Sequence, residues 1–343
     1  MKPQLIQHLN GEPIGRFPVW MMRQAGRFLP SYRAIRKDHS FWEMVTTPKL
    51  AVEVSLLPLA VLDVDAVIFF SDILTLPFGL GIPISMKESI GPVVENPLRN
   101  EKDFSILTEF NPKVHTGFVA EALSEIRRVM PPEKTLIGFA GAPWTVACYL
   151  IQGRGKNAFT EVTAWEQRDP EGLARALDKL RVATTAYLQL QVDAGADLVQ
   201  LFDTWLSQMS LTFFSKHYIP MLNSIFEGLQ SKGVKIIYFA KGAGPYLHEF
   251  HRLTADALSI DSSLDLNVVD ETLHHQFSLQ GNFDPEVLLH ADEATVRLET
   301  RKLVQKSRLL KKPPIINLGH GIFPKTPVEN VKAFVDEART LWI

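Results

Sequence analysis

Hydrophobic residues along this chain fall into short, continuously apolar runs, and each run is followed by a longer stretch with helical periodicity. A short run that is apolar at every position is typical of a strand covered on both faces, as in a parallel sheet. Eight runs predict strands at residues 17–20, 64–70, 135–140, 197–202, 234–239, 257–260, 278–280 and 315–318. Helices are predicted at residues 49–62, 113–130, 170–194, 210–232, 291–311 and 326–341.

Regular alternation of strands and helices predicts an α/β fold, and eight repeats predict a (β/α)8 TIM barrel in a single domain over residues 1–343. Such a barrel takes about 250 residues, which leaves roughly 90 for insertions. Residues 75–110, rich in Pro, Gly and mixed polar types, are the expected insertion in a βα loop. An open doubly wound sheet would alternate in the same way, but no Gly-x-Gly-x-x-Gly follows any of the runs.

Composition narrows the class of protein. The 36 Lys and Arg against 38 Asp and Glu give a formal charge of −2, which argues against a nucleic-acid binder that needs a broad basic surface. The first residues have no apolar signal-peptide core and no run of 18 apolar residues occurs, so a cytoplasmic protein without membrane contact is expected. Cys148 is the single cysteine, which excludes an internal disulfide and any multi-cysteine metal site, and no bound metal is expected.

The overall charge balance conceals a basic stretch at residues 13–37, which contains no acid and sums to +6. Its cations alternate with Trp, Met, Phe and Tyr, so the stretch is interpreted as ordered structure that presents cations rather than as a disordered tail. Guanidinium groups bind carboxylates or phosphates in a bidentate manner, and several together favour a ligand with several anionic groups. The six cations are Arg16, Arg23, Arg27, Arg33, Arg36 and Lys37.

Polar residues follow every predicted strand, at the end where barrel enzymes carry their chemistry. Turn formation and helix capping explain many of them, including Asp203, Thr204, Asn282 and Asp284. They do not explain the cationic or titratable residues at the other strand ends, which are Arg23, Arg27, Lys241 and His320. Asp72 directly follows an apolar run, and both a helix cap and an anion at the ligand site remain open for it.

Several long motifs resemble the uroporphyrinogen decarboxylase family. These are PVWMMRQAGRFLPSYR at 18–33, FSDIL at 70–74, GFAGAPWTVACY at 138–149, GNFDP at 281–285 and NLGHGIFP at 317–324, and the resemblance extends from about residue 16 to 341. It implies a cofactor-independent, cytoplasmic, homodimeric carboxy-lyase with a TIM-barrel fold. The implied reaction removes CO2 from the four acetate side chains of uroporphyrinogen III and gives coproporphyrinogen III, in haem and tetrapyrrole biosynthesis.

The same resemblance implies residue roles at the matching positions. Asp72, Arg23, Tyr149 and His320 are the expected catalytic residues, with Asp72 beneath the macrocycle. The same four also bind substrate, together with Gln24, Arg27, Arg36 and Thr204. The proton donor is open among Tyr149, His320, a water molecule and the Arg23–Asp72 pair.

Two alternatives belong to other functional classes. A zinc-dependent methyltransferase of the same superfamily would need His and Cys ligands, and Cys148 has no His-x-Cys neighbour. A non-catalytic tetrapyrrole carrier would need the cations, but it would have no use for an anion such as Asp72.

Overall fold

A computed structural model describes residues 3–12, 15–87, 91–155 and 159–340. Within these ranges seven parallel strands form one curled sheet, in the order β1-β4-β5-β6-β7-β8-β9. Successive strands of this sheet are neighbours, as βαβ connections produce. The strands are β1 (Ala66–Ile68), β4 (Thr135–Gly141), β5 (Leu198–Asp203), β6 (Lys235–Ala240), β7 (Ala257–Ile260), β8 (Ser278–Phe283) and β9 (Ile315–Leu318).

The two edges of this sheet meet at the segment 17–20, which is the first predicted strand. Val19 forms a parallel bridge with Ile316 of β9, and the Ile316 N–H donates to the carbonyl of Pro18 at 2.9 Å. On the other side the Asp65 N–H donates to the carbonyl of Val19 at 2.8 Å. The segment therefore lies between β9 and β1, although it forms a single bridge rather than a regular strand.

Helices cover the outer face of the sheet and agree with the predicted positions to within a few residues at most ends. Proline at the first or second position begins several of them, where its missing N–H has no helical partner to lose. Residue 341 of the last predicted helix lies outside the described ranges. The helices are α1 (Gln4–Leu9), α2 (Pro30–Asp38), α3 (Phe41–Thr46), α4 (Pro48–Leu56), α5 (Thr75–Gly79), α6 (Pro112–His115), α7 (Gly117–Val129), α8 (Pro143–Gln152), α9 (Thr160–Arg168), α10 (Pro170–Asp193), α11 (Leu211–Phe213), α12 (Ile219–Gln230), α13 (Leu266–Thr272), α14 (Pro285–His290), α15 (Glu293–Ser307) and α16 (Val328–Thr340).

An antiparallel hairpin, which the sequence pattern does not predict, lies in the stretch 75–110. Its strands are β2 (Ile84–Lys87) and β3 (Gly91–Val94), while residues 88–90 lie outside the described ranges. The Val94 N–H donates to the carbonyl of Gly153 at 2.8 Å, so the hairpin is attached to the chain just after α8.

A buried group of hydrogen-bonded polar side chains joins several strands of the curled sheet. The Trp20 indole N–H donates to Oε1 of Gln280 at 3.0 Å, and Nε2 of Gln280 donates to Ser259 and Gln200 at 2.9 and 3.1 Å. Since buried amides are costly without partners, these bonds fix the relative positions of the strands they join. No helix among the described residues is long and apolar enough to cross a membrane.

A buried ion cluster occupies the amino ends of the first strands. Arg16 donates to both carboxylate oxygens of Asp65 at 2.7 and 2.6 Å, and Arg339 of α16 donates to Asp65 at 3.0 Å. Burial alone would raise the pKa of Asp65, but the hydrogen bonds and charge of Arg16, helped by Arg339, hold it below its ordinary value. The expectation that Arg16 belongs to a cation set facing a ligand is therefore wrong, because its charge is neutralised inside the fold.

Candidate active site

The loop after segment 17–20 lies beside β1, and together they begin the candidate site. The buried Gln24 side chain joins the two, because its Nε2 donates to the carbonyl of Ala66 at 2.9 Å and its Oε1 accepts the Met21 N–H at 3.1 Å. Gln24 is fully buried and uses both ends of its amide internally. This corrects the expectation that Gln24 contacts substrate: it holds the loop in place.

Arg23, by contrast, projects from this loop into the open space at the strand ends. Its backbone is in the left-handed region with φ +63°. Partial desolvation lowers the pKa of Arg23, although the neighbouring Tyr149 and Asp72 oppose that shift. Arg23 has no carboxylate within 4.0 Å in the part of the chain that the structure describes. Its positive charge is therefore available to an anion from outside the protein.

Asp72 stands at the carboxyl end of β1 and is half-buried. Its Oδ1 accepts the Leu74 N–H at 2.8 Å, and its own N–H donates to Thr75 Oγ1 at 3.1 Å. Desolvation raises the pKa of Asp72, opposed by the Leu74 hydrogen bond and the charge of Arg23. One carboxylate oxygen of Asp72 thus caps the turn, as one of the two interpretations predicts. The other interpretation, an anion at the ligand site, stays a prediction.

Tyr149 is on α8 and also lies within electrostatic reach of Asp72 and Arg23. Its ring packs edge-on against Phe159 and Trp205, with centroids 6.2 and 6.3 Å away. Gly155 crosses beside the ring so closely that a Cβ there would lie 3.0 Å from the hydroxyl oxygen. Burial raises the pKa of Tyr149, so the phenol keeps its proton and remains a hydrogen-bond donor.

His320 follows β9 and lies within electrostatic reach of Arg23. Burial, with the positive charges of Arg23 and Lys241, lowers the pKa of His320 to about 4. The imidazole is therefore neutral at pH 7 and offers one donor and one acceptor. We call the region bounded by Arg23, Asp72, Tyr149 and His320 the mouth.

Two further expected ligand-binding arginines lie beside the mouth. Arg27 is exposed. Burial raises the pKa of Tyr32, and the positive charges of Arg36 and Arg27 oppose that shift. Arg36 donates to the carbonyl of His39 at 2.8 Å, so part of its guanidinium is already occupied. Thr204, the last expected contact residue, is half-buried directly after β5.

Arg33 has a supporting position in the loop. Its Nη1 donates to the carbonyls of Arg27 and Phe28, both at 2.8 Å. These bonds fix the backbone that presents Arg27, so Arg33 is part of the local structure rather than an additional free cation.

Several polar residues at the strand ends have structural roles, Asp284 as the predicted cap and Asp203 through buried side-chain hydrogen bonds instead. Asp203 is fully buried and accepts hydrogen bonds from Thr145, Tyr218 and Tyr238 at 2.6, 2.8 and 2.9 Å. Burial raises the pKa of Asp203 to about 6 despite these donors. Asp284 caps α14 through the Glu286 N–H at 3.0 Å.

Sequence reasoning did not single out Asn317, although it begins the same motif that contains His320. Its Oδ1 accepts the Met22 N–H at 3.1 Å and thereby joins the β9 loop to the residue before Arg23. Its position near the end of a predicted strand could have indicated a role at the site. An uncharged amide at that position, however, is equally typical of a turn.

No three His, Cys, Asp or Glu side chains come together to hold a metal ion in the described ranges. Cys148 is buried in α8, and burial raises the pKa of its thiol well above the ordinary value. A protonated, inaccessible thiol is a poor metal ligand and a poor nucleophile.

Comparison with known proteins gives one consistent result. Residues 1–341 match the model of the uroporphyrinogen decarboxylase (URO-D) family. The uroporphyrinogen decarboxylase of Trichlorobacter lovleyi is 36% identical over 98% of this chain and 98% of its own length. That of Rhodospirillum rubrum is 40% identical over 97% of this chain and 96% of its own. A methyltransferase from Methanosarcina mazei has a similar fold, with a TM-score of 0.81 at 22% identity over 98% of this chain and 97% of its own.

Proposed function

The chain belongs to the uroporphyrinogen decarboxylase family, and from this premise we propose how its mouth binds and decarboxylates a polycarboxylate tetrapyrrole. The enzyme is a carboxy-lyase of tetrapyrrole biosynthesis that removes CO2 from the acetate side chains of uroporphyrinogen. The observation that carries the proposal is the unpaired Arg23 beside a desolvated Asp72, with Tyr149 and His320 within electrostatic reach.

Decarboxylation breaks the bond between the acetate methylene carbon and its carboxylate, and the bond's electron pair must be accepted elsewhere as CO2 leaves. A pyrrole ring protonated at a ring carbon is a cation that accepts this pair. A proton added at the methylene carbon, with release of the ring proton, then gives the methyl group. The substrate thus provides its own electron sink, and the protein needs to stabilise a cation rather than to supply a cofactor.

Asp72 is suited to stabilise that cation. Its carboxylate lies in a desolvated position, where a negative charge interacts more strongly than it would in water. Under the proposal, the oxygen that does not cap the turn accepts hydrogen bonds from pyrrole N–H groups. Removal of one such preorganised electrostatic contact typically lowers the turnover rate by about 10²–10³-fold.

The arginines have a different role, because a tight ion pair with the reacting acetate would stabilise the ground state and slow CO2 loss. Arg27 and Arg36 therefore bind arms that are not reacting, while Arg23 lies closest to the reaction. Thr204 contacts the substrate from the end of β5. Tyr149 and neutral His320 donate hydrogen bonds to substrate carboxylates or carry the proton.

The proposal also covers the finer architecture. Segment 17–20 takes the eighth strand position of a single (β/α)8 domain, since its hydrogen bonds reach both β9 and Asp65 before β1. From the family resemblance we expect a cytoplasmic homodimer. Sedimentation equilibrium of the purified protein checks the dimer, and a monomer at micromolar concentration would contradict it.

The decisive experiment is product analysis with purified protein. Anaerobic incubation with uroporphyrinogen III is expected to release four CO2 per molecule and to yield coproporphyrinogen III, with unchanged rates after dialysis against a metal chelator. Tight binding without CO2 release would instead indicate a carrier.

A further inference from the structure

We propose that Gly321 and Asn317, in and just before the loop after β9, are positioning residues that set the orientation of Arg23. The inference rests on the proposed function, because it assumes that Arg23 binds the substrate. It adds that β9 and the loop after it, and not only the loop that carries Arg23, hold the Arg23 side chain in place.

The backbone at Arg23 needs external support. A residue with a side chain is uncommon at φ +63°, and such conformations persist where the surroundings hold them. Met22, immediately before it, is held on both sides: its N–H donates to Asn317 Oδ1 at 3.1 Å, and its carbonyl accepts the Ile322 N–H at 3.0 Å. These two bonds fix the peptide plane from which Arg23 departs.

Asn317 is itself rigidly placed. It is fully buried in β9, opposite Asn282 of β8, and its Oδ1 also accepts the Leu318 N–H at 2.7 Å. Its Nδ2 has no hydrogen-bond partner in the described part of the chain. The amide therefore acts on the Arg23 loop through its oxygen, which a carboxylate would also supply.

Gly321 acts on the side chain of Arg23. A Cβ at this glycine would stand 2.6 Å from Cγ and 2.8 Å from Nε of Arg23, closer than real Cβ contacts. The absence of a side chain thus allows the stem of Arg23 to lie directly against the loop. Gly319, on the other side of His320, similarly lies against the backbone of Ser262.

The two glycines flank His320, and each lies where a side chain has no room. A Cβ at Gly319 would overlap the backbone of Ser262, and a Cβ at Gly321 would overlap the side chain of Arg23. Positioning of this kind matters for rate, since a displacement of about 1 Å at a substrate-binding group can cost roughly 100-fold.

The test begins with Gly321→Ala and a matched control, Gly228→Ala. A Cβ at Gly228 on α12 would meet only a methyl group of Thr185, at 3.6 Å. Steady-state kinetics with uroporphyrinogen should show kcat/KM lowered about 10- to 100-fold by Gly321→Ala, at an unchanged unfolding temperature. Gly228→Ala should leave kcat/KM as it is. Normal kcat/KM for Gly321→Ala would overturn the inference.

A double variant separates positioning from general damage. If Gly321 acts through Arg23, then Arg23→Ala with Gly321→Ala should be no slower than Arg23→Ala alone. If the fold-losses in kcat/KM of the two single variants multiply in the double variant, the inference is overturned. If Arg23→Ala alone has normal kcat/KM, the proposed role of Arg23 fails first; if it is slow while Gly321→Ala is normal, the inference alone fails.

Asn317 provides a second measurement should Gly321→Ala not fold. Asn317→Asp keeps the acceptor for the Met22 and Leu318 N–H groups, whereas Asn317→Ala removes it. We expect Asn317→Asp to retain kcat/KM within several-fold and Asn317→Ala to lose at least tenfold more. Equal kcat/KM for the two variants would contradict a positioning role.

Discussion

Segment 16–23 has an arginine at each end and segment 65–72 has an aspartate at each end, but only one of these two Arg–Asp pairs, both among the described residues, forms an ion pair. At the amino ends, Arg16 and Asp65 form a buried bidentate ion pair at 2.7 and 2.6 Å. Seven positions later in each segment, at the carboxyl ends, stand Arg23 and Asp72. They feel each other's charge, yet no ion pair within 4.0 Å joins them in the described ranges.

The difference appears in the direction of the pKa shift of the two carboxyl groups. The pKa of Asp65 is below its ordinary value because Arg16 and Arg339 outweigh its burial, whereas burial raises the pKa of Asp72. A buried charge with a counter-ion is compatible with a stable fold, whereas a buried charge without one lowers stability. Such an unpaired charge is retained where a ligand or a transition state supplies the opposite charge. Charge pairing, rather than residue type, therefore separates the structural end from the mouth.

The largest effect is expected on stability at the amino end. Asp65→Asn leaves Arg16 buried without its counter-ion and should lower the free energy of unfolding by about 3–5 kcal/mol. Urea unfolding at pH 7 measures this. The kcat of the folded variant should stay within about twofold of the original, because Asp65 lies far from the mouth; a large drop in kcat would break the comparison.

Asp65→Asn also tests how the contribution of Asp65 to the free energy of unfolding changes with pH. The folded pKa of Asp65 is depressed, so its stabilising contribution is complete above the unfolded pKa of about 3.9 and is lost as pH falls through the folded pKa. Unfolding curves of the original protein and Asp65→Asn should therefore converge in acid. A difference between the two curves that does not narrow as the pH falls below about 3.9 would contradict the assignment.

The next effect is on turnover at the mouth. Asp72→Asn keeps the shape of the side chain but removes its charge, and kcat should fall by about 10²–10³-fold. Because desolvation disfavours the charged form of Asp72, the free energy of unfolding should be unchanged or slightly higher. Near-normal turnover by Asp72→Asn would refute its electrostatic role.

A smaller effect is expected on substrate binding. Arg27→Ala should raise KM by roughly 10- to 100-fold with kcat nearly unchanged, since a charge-assisted contact contributes roughly 1.5–3 kcal/mol. Lys49→Ala, which removes an exposed cation on α4, is the matched control and should change neither constant. A fall in kcat alone for Arg27→Ala would show that Arg27 acts on the reacting arm instead.

The smallest expected effect is a change in the pKa of one of two histidines when a ligand binds. His8, near the amino-end cluster, and His320, in the mouth, both have a pKa of about 4, His8 through burial and His320 through burial with the charges of Arg23 and Lys241. Uroporphyrin, an unreactive oxidised form of the substrate, should screen those charges and raise the pKa of His320 by about one unit. NMR titration should show His8 unaffected, and equal shifts at both would undermine the assignment of the mouth.

The fold was largely predictable because buried parallel strands leave continuous apolar runs. Seven of the eight predicted runs contain strands of the sheet, and the eighth, segment 17–20, forms a single bridge to Ile316. The hairpin Ile84–Lys87 and Gly91–Val94 escaped prediction, since its strands are short, partly exposed and interrupted by Gly and Pro. Family membership was also readable from long ordered motifs and is confirmed by the comparisons.

The site was less predictable because a list of residues does not specify where each side chain points. Charge counting grouped Arg16 with Arg23, although Arg16 precedes a strand position and Arg23 follows it. Gln24 lies in the same loop as Arg23, yet it points inward and bonds only to backbone. No sequence pattern distinguishes those two orientations. Asp65 carried a signal that was overlooked, as a carboxylate inside the otherwise apolar run 64–70.

The pairing of Val19 with Ile316 has a consequence for the newly made chain. On the ribosome, the loop that carries Arg23 emerges early, but Asn317 and Ile322, the residues that bond to Met22, follow almost three hundred residues later. Until β9 has been synthesised, Met22 lacks both of its hydrogen bonds and Arg23 has no surface against which to lie. If Arg23 binds the substrate as proposed, an unfinished chain has no assembled anion site, and the chain becomes able to bind only when β9 is complete.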